Sequence, residues 1–407
     1  MNPLKLIRAA LLLSMTLATA LPAHAASMFA RQTGMPCATC HFQNFPTLNS
    51  FGRVFKAGGY NIVGGQARLE ANGLSLPVVL NAGVVGKMRY QQSNGPKVPG
   101  TNTTNDGEFQ FPDELLLMLG GRVNENIGVL VELDVHGNDP LVSGLKMPFM
   151  KDVGSIKVGG IPFSTSTQGV SYGFEMLNTG ALRFARVAED RTAVSAQQYI
   201  GTATRAQGFA LVASNAQYFA NFSKWSPRAV GDKTGSPTAN YLRLAATPRV
   251  GIWDVGFGAQ SWSGSATEPD LLTTVDTKAW AVDAQMQGAF GDKPLGIYLS
   301  YANATGSAAG ANTHNLFNSN PNDRTAVALT GQLGVIPGKA TVLLGYRRGD
   351  NGKAVASTDN ALMVGGTYVI VQNVQLQLNH TTYSGNAYDG APANGDRMTT
   401  LMLYTSF

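Results

Sequence analysis

The stretch Ala279–Phe290, "AWAVDAQMQGAF", decides the fold. Side chains alternate across a β-strand, so Trp280, Val282, Ala284, Met286 and Phe290 share one side while Asp283, Gln285 and Gln287 share the other. One side is apolar with an aromatic near each end, and the other is polar. The same division recurs in "NVQLQLN" (373–379), where Val374, Leu376 and Leu378 oppose Gln375, Gln377 and Asn379. It recurs again in "GVLVELDVH" (128–136), where Val129, Val131, Leu133 and Val135 oppose Glu132, Asp134 and His136.

A soluble sandwich alternates in this way too, but its connections need not alternate in length. Here tight connections near Asn124 to Asn126, Pro248 to Val250, Asp292 to Pro294, Pro337 to Lys339 and Gln372 to Asn373 interleave with long polar ones. The long ones fall near 92–108, 226–239, 263–277, 305–323, 349–360 and 384–397. Short turns on one rim, long loops on the other and an apolar outer face predict an all-β chain, an outer-membrane antiparallel β-barrel over 74–407. The terminal "LMLYTSF" (401–407) ends on an aromatic, as outer-membrane barrels do. Dividing this length by about 20 residues per strand and connection gives about 16 strands, enough to leave a lumen. The stretch 164–206 resists assignment to strands.

Composition agrees with lipid as the surrounding medium. Charged residues make up 14% of the chain, well below the roughly 25% of a soluble domain. The formal net charge of +5 is spread thinly, with no basic run to bind nucleic acid. Lys5 and Arg8, the apolar run "AALLLSMTLATAL" and the "AHA" at 23–25 follow the order of a secretory signal, so residues 1–25 are expected to be removed on export. A retained helical anchor would need about 20 apolar residues, more than this run provides.

Between the signal and the barrel, residues 26–73 contain "MPCATCHF" (35–42), with the only two cysteines of the chain. A cysteine pair at this spacing is a disulfide, a redox dithiol, half a zinc site or a haem anchor. A thioredoxin-like dithiol calls for a βαβ surround that is missing, and a zinc site for a second ligand pair, also missing. His41 directly after Cys40 suits haem c: two thioethers from Cys37 and Cys40, and His41 as the proximal ligand of the haem iron. A structural disulfide is the remaining alternative. A segment this short needs a staple, a metal or a partner surface to fold, so it is expected to be a helical or irregular plug that caps or fills the lumen.

The strings "FARQTGMPCATCH" (29–41) and "FPTLNSFGRVFKAGGY" (45–60), followed by a barrel, resemble the fused monohaem cytochrome and porin family of the outer membrane. Its best-known members are the iron oxidases of iron-oxidising bacteria. The resemblance implies one covalently bound haem c on Cys37 and Cys40, ligated by His41. It also implies an extracellular reductant such as Fe(II) as donor, a periplasmic cytochrome as acceptor, and outer-membrane lipid around the barrel. The N-terminal segment would enter from the periplasm. The alternative is a transport channel with the haem segment as plug, gate or redox sensor. Met35 lies too close to Cys37 to reach across a haem ring, which leaves Met28, Lys56 or a lumen residue as sixth ligand. Glu132, Asp134 and His136 share the inward face and are candidate metal contacts in the lumen, although their first reading is polar pore lining. His380 shares parity with the lipid-facing leucines, and His314 lies in a long loop.

Overall fold

The computed structural model describes residues 28–407 except 73, 138–139, 181–189, 234, 309–312 and 391; the expected signal, 1–25, lies outside them. Among the described residues sixteen antiparallel strand passages close into one barrel. The first, Ala82–Ser93, pairs with the last, Arg397–Ser406, with Lys87 opposite Tyr404 and Tyr90 opposite Leu401. Phe407 completes the seam: its N–H donates to the Val84 carbonyl at 2.9 Å and its carbonyl accepts from Val84 at 2.6 Å. Closure leaves no unpaired sheet edge in lipid, where each bare N–H or C=O would be costly.

Two passages are interrupted, and proline explains both. Val142–Lys146 and Phe149–Val153 lie on the same neighbour, Ile156–Thr165, with Pro148 between them. Ala239–Ala246 and Arg249–Val250 both lie on Trp253–Ser263, with Pro248 between them. Proline has no N–H for the ladder and displaces the strand locally. The turn after Arg249–Val250 falls at Gly251 and Ile252, slightly beyond the expected Pro248 to Val250. Short turns at 154–155 and 215–217 complete the set on that rim.

Alternation holds as expected. Trp280 and Val282 are exposed on the outer wall, while Asp283, Gln285 and Gln287 are buried on the inner one. Outward Leu344, Leu362, Val364 and Leu378 are also exposed. A closed barrel with this apolar exterior spans the outer membrane and is surrounded by its lipid. The lumen is not an open pore, however. Gln332, Gln377, Asn379 and Thr400 are all buried, because the lumen holds two inserts.

One insert is residues 28–66, which enter at the short-turn end. The other is made of 166–180 and 190–205, the described parts of the stretch without readable alternation between Ile156–Thr165 and Ala206–Ser214, which fold inward. Its Glu175 and the wall residue Asp283 share the guanidinium of Arg243, at 2.9 and 2.6 Å, and all three side chains are essentially inaccessible. Thr179 donates to Asp283 at 2.6 Å, and Gln285 accepts from the Asn178 N–H at 2.7 Å. A buried ion network of this kind costs about 3–5 kcal/mol to break at one member, so it pins the loop across the barrel.

The barrel begins later than the sequence suggested. The expected boundary at 74 falls inside a separate two-stranded hairpin, Arg68–Ala71 with Leu74–Pro77, and the barrel wall starts at Ala82. With the inserted N-terminal segment at the short-turn end, that rim faces the periplasm and the long loops face outward. An epitope tag near Gly264 or Asn386 is expected to bind antibody on intact cells, and one near Asn126 only after permeabilisation. The reverse labelling would show that the barrel is inverted.

Candidate functional site

The N-terminal insert is built from two short helices and an aromatic core. Helix α1 (Met28–Thr33) presents Phe29, which stacks on Tyr60 at 4.8 Å and meets Phe55 of α2 (Ser50–Ala57) edge-on at 5.1 Å. These rings and Met28 pack on Leu130 and Met118 of the wall. Gln32 is fully buried and saturates four backbone or side-chain partners. Its Nε2 donates to the carbonyls of Tyr60 (2.6 Å) and Ile62 (2.8 Å); its Oε1 accepts from the Arg122 N–H (2.9 Å) and Asn81 (3.2 Å).

Polar contacts fix the insert to several widely spaced parts of the barrel and to the other insert. Arg53 holds both carboxylate oxygens of Asp254, at 2.6 and 2.8 Å. Asn44 donates to Thr367 at 2.7 Å, and Gln43 to the Gln332 carbonyl at 3.1 Å. The backbone of Leu48 exchanges two hydrogen bonds with the side chain of Asn178, at 2.8 and 2.9 Å, and Lys56 donates to the Glu175 carbonyl. The two inserts are therefore joined to each other as well as to the wall. Their fit is close: a Cβ placed on wall residue Gly128 would sit 1.7 Å from the Gly59 carbonyl oxygen.

The cysteine motif occupies one turn of this insert. Cys37–Thr39 is a 3₁₀ turn, and the Cys37 carbonyl accepts from the N–H groups of Cys40 (3.1 Å) and His41 (2.9 Å). A helical turn places residues three and four apart on one side, so Cys37, Cys40 and His41 share a face. Both thiols are unpaired and half-buried. Burial pushes both above the ordinary thiol range, and the neighbouring Cys37 raises Cys40 further. A redox dithiol needs a depressed thiol, so these surroundings do not suit one. No group of three or more His, Cys, Asp or Glu able to hold a metal ion occurs among the described residues.

His41 is oriented from two directions. Its Nδ1 lies 3.3 Å from the carbonyl oxygen of the buried Thr47, and its ring meets Phe45 edge-on at 5.0 Å. A proton on Nδ1 makes the first contact and leaves the lone pair on Nε2, the tautomer an iron ligand requires. Phe45 in turn stacks on Tyr404 of the last strand at 5.3 Å. The donor set thus fits a covalently attached haem: two thiols on one face, an adjacent imidazole and a carbonyl to fix its tautomer.

Other expected residues are placed as follows. Glu132 and Asp134 are buried and point inward, but Glu132 accepts from Gln168 at 2.8 Å and so holds the inward loop. Asp134 accepts from the His136 N–H at 2.9 Å. His136 lines a polar cavity of about 370 Å³ with Arg89, Gln110, Pro112 and Asp113. That cavity lies one step up the same inward row as the Tyr404 contact, since Arg89 pairs with Met402 and Lys87 with Tyr404. From His41 a run of ring contacts leads through Phe45 to Tyr404. Met28 is committed to the aromatic core and Lys56 to Glu175, so neither is placed as a sixth ligand. His380 is exposed on the outer wall and bonds to Thr399 at 2.9 Å; His314 lies in a long loop. A larger concavity, about 740 Å³, is lined by outward Ala213, Ala220, Leu244 and Phe257 and belongs to the lipid-facing surface.

No protein-family model matches the sequence, and no curated protein is similar to it. Among solved structures, a mutant of Rh. blastica porin is similar with a TM-score of 0.48 at 13% identity, covering 81% of this chain and 100% of the other. A loop-deletion mutant of OmpT, an outer membrane protein of Vibrio cholerae, gives a TM-score of 0.44 at 12% identity, covering 81% and 99%. Pseudomonas aeruginosa OpdK with vanillate gives 0.43 at 10% identity, covering 80% and 98%.

The packing of α2 on the cysteine turn offers a direct check. A Cβ on Gly52 would lie 2.2 Å from the Cys40 carbonyl oxygen, whereas one on Gly65 would meet nothing within 4 Å. Gly52→Ala is expected to strain the insert by about 1–3 kcal/mol. Limited proteolysis of the full-length protein in outer-membrane vesicles should then trim the N-terminal segment faster in Gly52→Ala, with Gly65→Ala matching wild type.

Proposed function

We propose that the protein is an outer-membrane cytochrome-porin that moves electrons from an extracellular donor, Fe(II) foremost, to a periplasmic cytochrome. One observation carries this reading: Cys37, Cys40 and His41 share one face of a turn inside an insert bonded to widely spaced strands of the barrel. One covalently bound haem c, attached through Cys37 and Cys40, would supply a one-electron site there. His41 would be its axial ligand, with the Thr47 carbonyl holding the imidazole in the ligating tautomer.

The surroundings support a fixed redox centre. Arg53, Asn44 and Gln32 hold the insert against separate parts of the wall and Leu48 holds it to the second insert, so the cysteine turn keeps its place while donors and acceptors come and go. Phe45 packs on the imidazole and Tyr404 on Phe45, and the polar cavity at Arg89 and His136 lies one step along the Tyr404 row. Glu132 and Asp134 serve the loop and the His136 backbone in this reading.

The polar inner wall favours a second reading, a transport channel whose haem segment is plug, gate or redox sensor. That reading requires the insert to leave Asp254, Thr367 and Asn178, at least in part. The two readings separate in one experiment. Oxidised wild-type protein in detergent is mixed with Fe(II) at neutral and acid pH, and the haem absorbance is followed by stopped flow. Reduction is expected in wild type, and no covalent haem signal in Cys40→Ala. A haem that stays oxidised in Fe(II) while a strong chemical reductant reduces it fully would exclude iron as donor. Solute flux through wild-type barrels in liposomes would favour the channel.

A further inference from the structure

The hairpin between insert and barrel is amphipathic in the opposite sense from a water-exposed one. Pairing sets Leu69 opposite Leu76 and Glu70 opposite Ser75, so Leu69, Ala71 and Leu76 share one face while Arg68, Glu70 and Ser75 share the other. The polar face is internally paired and touches the barrel at Ser75. Arg68 pairs with Glu70 at 3.0 Å, Ser75 donates to Glu70 at 3.1 Å, and Arg122 at the end of a barrel strand reaches Ser75 at 3.5 Å. Gln66 further ties the base to Asn81 at 2.6 Å.

The apolar face is bare. Leu69 is 54% exposed, Leu76 41%, and the connector adds Val78 at 53%, Val79 at 62% and Leu80 at 71%. Such a patch in water would be an aggregation liability, and its rim position offers a different solvent. The connector runs straight into Ala82–Ser93, the first strand of the lipid-facing wall, on the rim of short turns. The patch thus lies next in the chain to the first strand of the lipid-facing wall. Its residues are Leu and Val without an aromatic or arginine anchor, the side chains that dominate protein–protein hot spots.

We propose that residues 68–72 and 74–80 form a membrane-interface anchor: the two hairpin strands and the connector rest their apolar side in the inner, periplasmic leaflet of the outer membrane. The polar face then looks toward the barrel mouth, and the anchor fixes the chain between the inserted segment and the first strand. Residues of this kind lie at the boundary between headgroups and acyl chains rather than across the bilayer.

The test uses the full-length protein in phospholipid vesicles and in intact outer membranes. A photo-cross-linking benzoylphenylalanine replaces Leu76, Val79 or, as the control on the polar face, Glu70. Barrel folding is verified by heat-modifiable gel mobility. Phospholipid adducts are expected at 76 and 79, several-fold above those at 70. Equal lipid adducts at all three positions, or none at 76 and 79, would overturn the proposal. Protein adducts replacing lipid adducts at 76 in intact membranes would also overturn it, and would identify the patch as a docking surface for a periplasmic protein.

Discussion

An inner wall of Gln, Asn, Thr, Asp and Arg side chains has to be hydrogen-bonded, by water or by protein, and in this barrel protein supplies most of the partners. Arg243 is the centre of that constraint, since its buried guanidinium must keep both Glu175 and Asp283. Holding Glu175 brings its inward segment across the lumen. Holding the loop places Asn178 beneath Leu48 and the Glu175 carbonyl beside Lys56. The position of the cysteine turn is thereby tied to an ion network on strands well away from it in sequence.

This arrangement gives the N-terminal segment what its length denies it. Its own core is three aromatic rings and Met28, too little for an independent domain. The barrel supplies Leu130, Met118, Tyr404, Asp254 and Thr367 as the rest of that core. Side chains that would line a pore become the outer shell of a site. The insert and the lumen wall are one packing unit, and a fixed position for His41 follows from it.

Local patterns were legible in the sequence and distant partnerships were not. The alternation in Ala279–Phe290 gave the correct inward and outward sides, because it depends only on the two-residue repeat of a strand. The length divided by the repeat of one strand and connection gave the strand number, and the alternation of short and long connections gave the two rims. The inward segment around Glu175 and Asn178 escaped because it is held by Arg243, Asp283 and Gln285, far along the chain, and not by a repeat of its own. The boundary expected at 74 put the second strand of the hairpin, Leu74–Pro77, into the wall, whereas the wall starts at Ala82. The cysteine turn was readable from its spacing alone, whereas Asn44, Arg53 and Phe45, which hold it in place, carry no signal until Thr367, Asp254 and Tyr404 stand opposite them.

The central claim is that Cys37 and Cys40 carry a haem inside this barrel, and an intact mass of the unreduced protein purified from outer membranes tests it most directly. The account predicts the mature polypeptide plus one haem, stable to denaturation and acid extraction. A mass equal to the bare polypeptide, or lighter by the pair of hydrogens lost to a Cys37–Cys40 disulfide, would contradict it.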